Sequence, residues 1–221
     1  MDPDPAEVEL RDGTVVRMRA VVPADRELFV AAFERLSPES RYRRFFSPVE
    51  ELSSDVLDYL TRIDYVNHFA WVALAGEPGK DDLVGISRYV RLDDPAAAEG
   101  AVTVVDEYQA RGLGTLLLAA LVLRAVEHGI ARLEGDVLAE NQAMQHVLRG
   151  AGAHLHTGDA GVMRFEMDLP ERSDALAGSA PQEVLRAVAR GEADLYQLEP
   201  CPWLTGLGDG STLSRGRPRP R

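Results

Sequence analysis

Cysteine is nearly absent. The 221 residues contain one, Cys201, so no intrachain disulfide can form and the usage is that of a cytoplasmic protein. Positive charge is also in short supply. Lysine and arginine number 24 against 36 aspartates and glutamates, a formal charge of -12. That balance argues against nucleic acid as the main partner, because phosphate backbones need a basic surface. It leaves room for an anionic cofactor at a local site. Long apolar runs are missing too. The longest, Leu113 to Leu123, is cut by Arg124, whereas a membrane-spanning helix needs about 20 residues. The opening MDPDPAEVELRDG is acidic and proline-rich, unlike a secretory signal. No internal repeat is present. With 45% hydrophobic and 27% charged residues, the chain reads as a globular protein of one substantial domain plus extras.

The informative stretch is Val102 to Leu118, VTVVDEYQARGLGTLLL. It begins as an apolar strand, turns through acidic residues, reaches Gln109-Ala110-Arg111-Gly112-Leu113-Gly114 and enters a helix. Free N–H groups and the positive end of the helix dipole make such a junction a site for an anionic group. Two further absences narrow the ligand. A nucleotide P-loop needs lysine after its second glycine, and no lysine is here. A dinucleotide fingerprint needs a third glycine or alanine three residues after the second, and Leu117 stands there. What remains is Gln-x-x-Gly-x-Gly after a strand.

Around it the periodicities predict a first strand over Thr14–Arg19 and a helix opened by Pro23 with Leu28, Phe29, Ala32, Phe33 and Leu36 inward. A helix follows from Ser37, where Tyr42, Phe45 and Phe46 can share a face beside Arg41 and Arg44. This SPESRYRRFF segment is either an amphipathic helix with a solvated basic edge or a wall of a substrate cleft. Ser53 caps a short helix to Thr61. Strands are predicted at His68–Ala75, Leu83–Arg91, Ala98–Val105, Arg132–Leu138, Ala153–Thr157 and Met163–Leu169. Helices start at Leu113 and at Asn141. Residues 1–12 read as a flexible arm, 13–170 as the domain, and 171–221 as an extension. The extension has a short helix over Pro181–Arg190 and an arginine-rich, disordered end. His154 and His156 share a strand face without a third ligand, so no metal is expected.

The glycine stretch and the element order resemble the GNAT superfamily of N-acetyltransferases over about Thr14 to Leu169. The run Leu36, Ser37, Ser40, Tyr42, Arg44, Phe45, Phe46 is similar to one in its bacterial protein lysine acetyltransferase branch. The resemblance implies an α/β (α+β in some schemes) fold. A mixed, mostly antiparallel twisted sheet would be flanked by helices. It implies acetyl-CoA as donor. Gln109, Ala110, Arg111, Gly112, Leu113, Gly114 and Thr115 would hold the pyrophosphate. Val102, Thr103 and Val104, on a strand splayed from its neighbour, would pair with pantetheine. Asn141 would contact the pantetheine arm, a role compatible with an N-cap.

Acetyl transfer to an amine requires that the amine lose a proton, and a lysine amine has an ordinary pKa near 10.4. A nearby carboxylate can take it. The candidate is Glu99 in AEGAVTV; Ala98, Glu99 and Ala101 match the run that carries the base in the lysine acetyltransferase branch. The tyrosine that often protonates the leaving thiolate is replaced by Leu148, and His146 is the available substitute. The reading is a cytoplasmic acetyl-CoA-dependent N-acetyltransferase without a metal or membrane partner. The favoured acceptor is a protein lysine. The alternatives are a small-molecule amine as acceptor, or a coenzyme A sensor without catalysis.

Overall fold

The computed structural model describes residues 6–77 and 79–169. Eight strands form one sheet: β1 (Ala6–Glu9), β2 (Val15–Ala20), β3 (His68–Ala75), β4 (Asp82–Arg91), β5 (Ala97–Val104), β6 (Arg132–Leu138), β7 (His154–Thr157) and β8 (Val162–Asp168). Their order is β1-β2-β3-β4-β5-β6-β8-β7. Every neighbouring pair is antiparallel except the central β5–β6 pair, which is parallel. The helices are α1 (Arg26–Glu34), α2 (Pro38–Phe45), α3 (Ser54–Thr61), α4 (Leu113–Glu127) and α5 (Gln142–Gly150). None of the described helices is long and apolar enough to cross a membrane.

The alternation of β3 splits the core. Ala70, Val72 and Leu74 join Phe29, Phe33, Leu36, Leu57 and Leu60 under α1 and α3. Phe69, Ala73 and Ala75 face the other way, with α4, Leu133, Leu148 and Phe165. Successive strand residues point to opposite faces, so helices cover both sides. α4 is apolar all round, with eleven of its fifteen residues buried, as expected of a helix laid along a sheet centre. The Trp71 indole N–H donates to the Ala120 carbonyl at 3.1 Å and ties α4 to β3.

Two sequence expectations change. Ala6–Glu9, assigned to a flexible arm, is a strand paired with β2 over Ala6↔Met18 to Glu9↔Val15. Its signal was the Asp12-Gly13 pair, which makes the hairpin turn with Gly13 at φ +82°. In α2 the aromatic face does not form. Tyr42 and Phe46 are exposed, and Phe46 leaves the helix in a left-handed conformation, φ 54°. Phe45 alone turns to the core, edge-on to Phe33 at 5.9 Å. The proposed helix over Pro181–Arg190 and the arginine-rich end lie outside the described residues.

β5 and β6 are bridged only from Ala97↔Arg132 to Glu99↔Glu134; beyond this they part, and β6 continues against β8 to Leu138. Gly135 stands at the fork. A Cβ there would lie 2.9 Å from the Gly100 carbonyl oxygen and 2.8 Å from the Phe165 ring. Only glycine lets the two strands approach so closely before they separate.

Candidate active site

The glycine turn is built as the sequence implied. Gly112 is the N-cap of α4 with φ +88°, and Ala110, also left-handed at φ 59°, precedes it. The first N–H groups of α4 have no intrahelical partner and open toward the gap left by β6. From Gly100 to Val104 the edge of β5 that faced β6 has no strand partner. The gap is a cleft of about 650 Å³. β5 contributes Val102, Thr103 and Val104. The turn contributes Gln109, Ala110, Gly112, Gly114 and Thr115. α5 contributes Asn141, Met144 and His146. Asn141 caps α5 through its side-chain oxygen, which accepts from the Met144 N–H at 3.1 Å. Its NH₂ group is not used by the cap.

Charge in this cleft is opposite to that of the chain. Among the described residues Arg11, Arg43 and Arg44 line it, and no carboxylate does. Arg11 comes from the β1–β2 turn, Arg43 and Arg44 from α2. The side-chain Nε of Arg43 is buried without a hydrogen-bond partner among the described residues, while its Nη2 donates to Glu39. Such a local concentration attracts an anion against a global charge of -12.

A second cavity of about 300 Å³ continues from the first and shares Arg43, Arg44, Val102, Asn141 and Met144 with it. Glu99 lines this cavity, with Phe46, Asp136 and Leu148. Glu99 is exposed on β5 and sits at the last residue bridged to β6. Its carboxylate is therefore at the fork. Burial lowers Arg44 below the ordinary arginine value, opposed by Glu99 and Tyr59. Behind it lies Arg88, 4% exposed, whose Nη2 donates to the Leu60 carbonyl at 3.1 Å. Burial, and then the Arg44 charge, depress Arg88 to about 9. Burial and the Arg88 charge push His68 down to about 4, so its Nε2, 3.1 Å from Arg88 Nη1, accepts as a neutral imidazole.

A half-buried brace holds the start of α2, the helix whose Arg43 and Arg44 line both cavities. Asp106, just after β5, accepts from the Ser37 hydroxyl at 2.8 Å, the Ser37 N–H at 3.1 Å and the Ser40 hydroxyl at 3.0 Å. Burial alone would raise Asp106, but these bonds outweigh it and hold the carboxyl below its ordinary value. Ser37 also caps α2. The Gln109 amide donates to Ser40 Oγ at 3.2 Å and to the Val104 carbonyl at 3.1 Å. Its side chain thus locks the turn to α2 and β5, a bracing role that the motif alone did not reveal.

Of the residues singled out from the sequence, Val102, Thr103, Val104, Gln109, Ala110, Gly112, Gly114, Thr115 and Asn141 line the cleft, and Glu99 lines its continuation. Two do not. Leu113 is fully buried beneath the turn in the main core. Arg111 turns away to pair with Asp12 at 3.0 Å and lies over the Tyr108 ring, 5.1 Å from its centroid. Leu148 is buried with its side chain in the core, and it brings no hydroxyl to the Glu99 cavity. His146 is exposed and lines the cleft. Sequence reasoning missed Arg11 and Arg43. The Asp12-Gly13 hairpin signal could have placed Arg11; nothing local marks Arg43. His154 and His156 lie on exposed β7, and no group of three metal-ligating side chains occurs among the described residues.

A mixed sheet that splays between its parallel central strands, with a glycine turn and helix N-terminus beside the gap, is the architecture of the GNAT fold. The chain belongs to the acetyltransferase (GNAT) family, whose model matches residues 29–153. It is 35% identical over 196 residues to the acetyltransferase Pat of Mycolicibacterium smegmatis, covering 84% of this chain and 58% of that relative. The chain thus spans little more than half of that protein. It is 37% identical over 143 residues to an acetyltransferase of Pseudomonas aeruginosa, 65% of this chain and 77% of that one. Among solved structures, the GNAT domain of S. lividans PAT superposes with a TM-score of 0.70 at 33% identity. That match covers 76% of this chain and 99% of that domain. The cAMP-binding acyltransferase of Mycobacterium smegmatis gives 0.57 at 32% identity, covering 84% and 54% respectively.

Proposed function

We propose that this chain is an acetyl-CoA-dependent N-acetyltransferase that moves the acetyl group to a primary amine. Its favoured acceptor is a protein lysine. The observation that carries the reading is the continuity of the two cavities. A cationic cleft at the glycine turn runs along the free edge of β5 and ends at the Glu99 carboxylate. A long anionic donor lies along that path with its phosphates at the α4 N-terminus and its thioester near the fork. The lysine acceptor is favoured by the resemblance of SPESRYRRFF and AEGAVTV to the protein lysine acetyltransferase branch.

The chemistry asks three things of the residues. The α4 N-terminus and the arginines that line the cleft neutralise the donor phosphates. The free β5 edge orients the pantetheine amides and fixes the thioester carbonyl. Glu99 takes the proton from the attacking amine, directly or through water. The new C–N bond forms as the C–S bond breaks, and the leaving thiolate collects a proton from water, since Leu148 supplies none.

The test is release of free thiol from acetyl-CoA with a lysine peptide and with small amines as acceptors. Turnover with the peptide supports the reading. Glu99→Gln should lose roughly 10²- to 10⁴-fold in rate near neutral pH, with recovery as pH rises toward the amine's own pKa. A variant as fast as wild type across the pH range means that Glu99 is not the base. Because Leu148 removes the usual acid, binding of acetyl-CoA without turnover on any acceptor would favour a coenzyme A sensor instead.

A further inference from the structure

The sequence directs attention to Arg111 as the cation of the phosphate turn, yet the structure commits that side chain elsewhere. Its Nη1 pairs with Asp12 at 3.0 Å and approaches the Thr14 hydroxyl at 3.5 Å. Both partners belong to the β1–β2 turn. That turn is itself closed by the Leu10 N–H on the Thr14 carbonyl at 2.8 Å and the Gly13 N–H on the Leu10 carbonyl at 2.9 Å. Asp12 also accepts from the Thr14 N–H at 3.0 Å, which with Arg111 holds its carboxylate below the ordinary value. The hairpin tip is thus fastened to the glycine turn.

Next to the fastened Asp12 stands Arg11. It lines the cofactor cleft, and its Nε lies 3.8 Å from where a Cβ on Gly112 would be. The guanidinium is poised over the N-cap of α4, where the free N–H groups converge. Arg11 itself is exposed.

We infer that Arg11 is the hairpin's cation for the donor's diphosphate and that Arg111 acts only by clamping the hairpin in place. This rests on the coenzyme A reading of the cleft. It places β1 and β2, which lie outside the matched family region of 29–153, in the cofactor site. A guanidinium and a diphosphate form charge-assisted, two-pronged hydrogen bonds. The α4 N-terminus supplies backbone donors from the opposite side. Position decides which phosphate is meant: Arg11 overlies Gly112 itself, so the diphosphate, not the ribose 3′-phosphate, is its partner.

The test is calorimetric titration of the full chain with coenzyme A and with 3′-dephospho-coenzyme A. Arg11→Gln should weaken both by about tenfold, the worth of one charge-assisted contact. The affinity should also become less sensitive to salt, and Arg11→Lys should restore part of the loss. Arg111→Gln should weaken binding less, and adding it to Arg11→Gln should cost nothing more, because its effect runs through Arg11. The inference is overturned if Arg11→Gln binds both ligands as wild type does. A loss with coenzyme A that vanishes with the 3′-dephospho form overturns the diphosphate assignment. Full additivity of the two changes would put Arg111 on the phosphate itself. A wild-type chain that ignores coenzyme A altogether sinks the cofactor reading, a result separable from all of these.

Discussion

Gly135 is the position where one methyl group tests both fold and site. In Gly135→Ala the new Cβ would meet the Gly100 carbonyl oxygen at 2.9 Å and two carbons of the Phe165 ring at 2.8 and 3.1 Å. Neither neighbour yields easily. Phe165 is 5% exposed within the main core, and Gly100 is held by β4 opposite Tyr89. Overpacking of this kind costs about 1–3 kcal/mol. Replacing glycine returns about 0.4–1 kcal/mol by restricting the unfolded chain. The difference, roughly 1–2 kcal/mol, corresponds to a fall in Tm of about 2–8 °C for a chain of this size. Gly150→Ala is the control. A Cβ there meets nothing within 4 Å, so the helix should gain up to about 1 kcal/mol. The methyl is accommodated only if the Phe165 ring shifts and Gly100, next to Glu99, eases away from β6. Turnover in Gly135→Ala should therefore drop by more than coenzyme A affinity does. Thermal melts and thiol release measure the two quantities. A Gly135→Ala protein that melts at or above wild type and turns over fully refutes the fork as a point of close approach.

Two further outcomes are expected. Acid should destabilise the fold in two stages, followed by denaturant melts at stepped pH. His68 is depressed to about 4 by burial and Arg88, so the unfolded chain takes up its proton first and stability falls from about pH 6.5 to 4. Asp64 is raised by burial but held down to about 2 by the N–H groups of His68, Val66 and Asn67. Its contribution is present above about pH 4 and is lost from there to about pH 2. His68→Gln should flatten the first stage and Asp64→Ala the second; unchanged profiles would contradict these environments. Separately, Asp106→Ala removes three hydrogen bonds to Ser37 and Ser40. It should cost roughly 2–4 kcal/mol, loosen α2 and weaken coenzyme A binding, whereas loss of stability alone would show that α2 does not need the brace.

Much of the scaffold could be read from the chain because its local signals agree with one another. Ser37, Ser53 and Asn141 each cap the helix they were expected to open, through bonds of 3.1, 3.3 and 3.1 Å. The strand of His68–Ala75 has the expected bounds. The glycine turn was legible for the same reason, since a left-handed residue before an apolar helix leaves few alternatives. What escaped reading depends on partners far away in sequence. Arg111 is 99 residues from Asp12, and Gln109 and Asp106 meet Ser40 across gaps of 69 and 66 residues. No local pattern reports such pairings, so a motif arginine was assigned to a phosphate and a hairpin to an arm.

The short helix α2 shows why the two readings of SPESRYRRFF were not true alternatives. It does carry a basic edge, and Glu39 pairs with Arg43 there. The same edge is also a wall, because the Asp106 brace turns Arg43 and Arg44 toward both cavities while Tyr42 is left outside. A helix of eight residues buries too little apolar surface to choose its own orientation. Its hydrogen bonds at the N-terminus choose it instead. The cleft at the glycine turn and the Glu99 cavity therefore share one boundary, the Arg43–Arg44 edge of α2. A change in the placement of Arg43 and Arg44 would alter the cleft at the glycine turn and the cavity of Glu99 together.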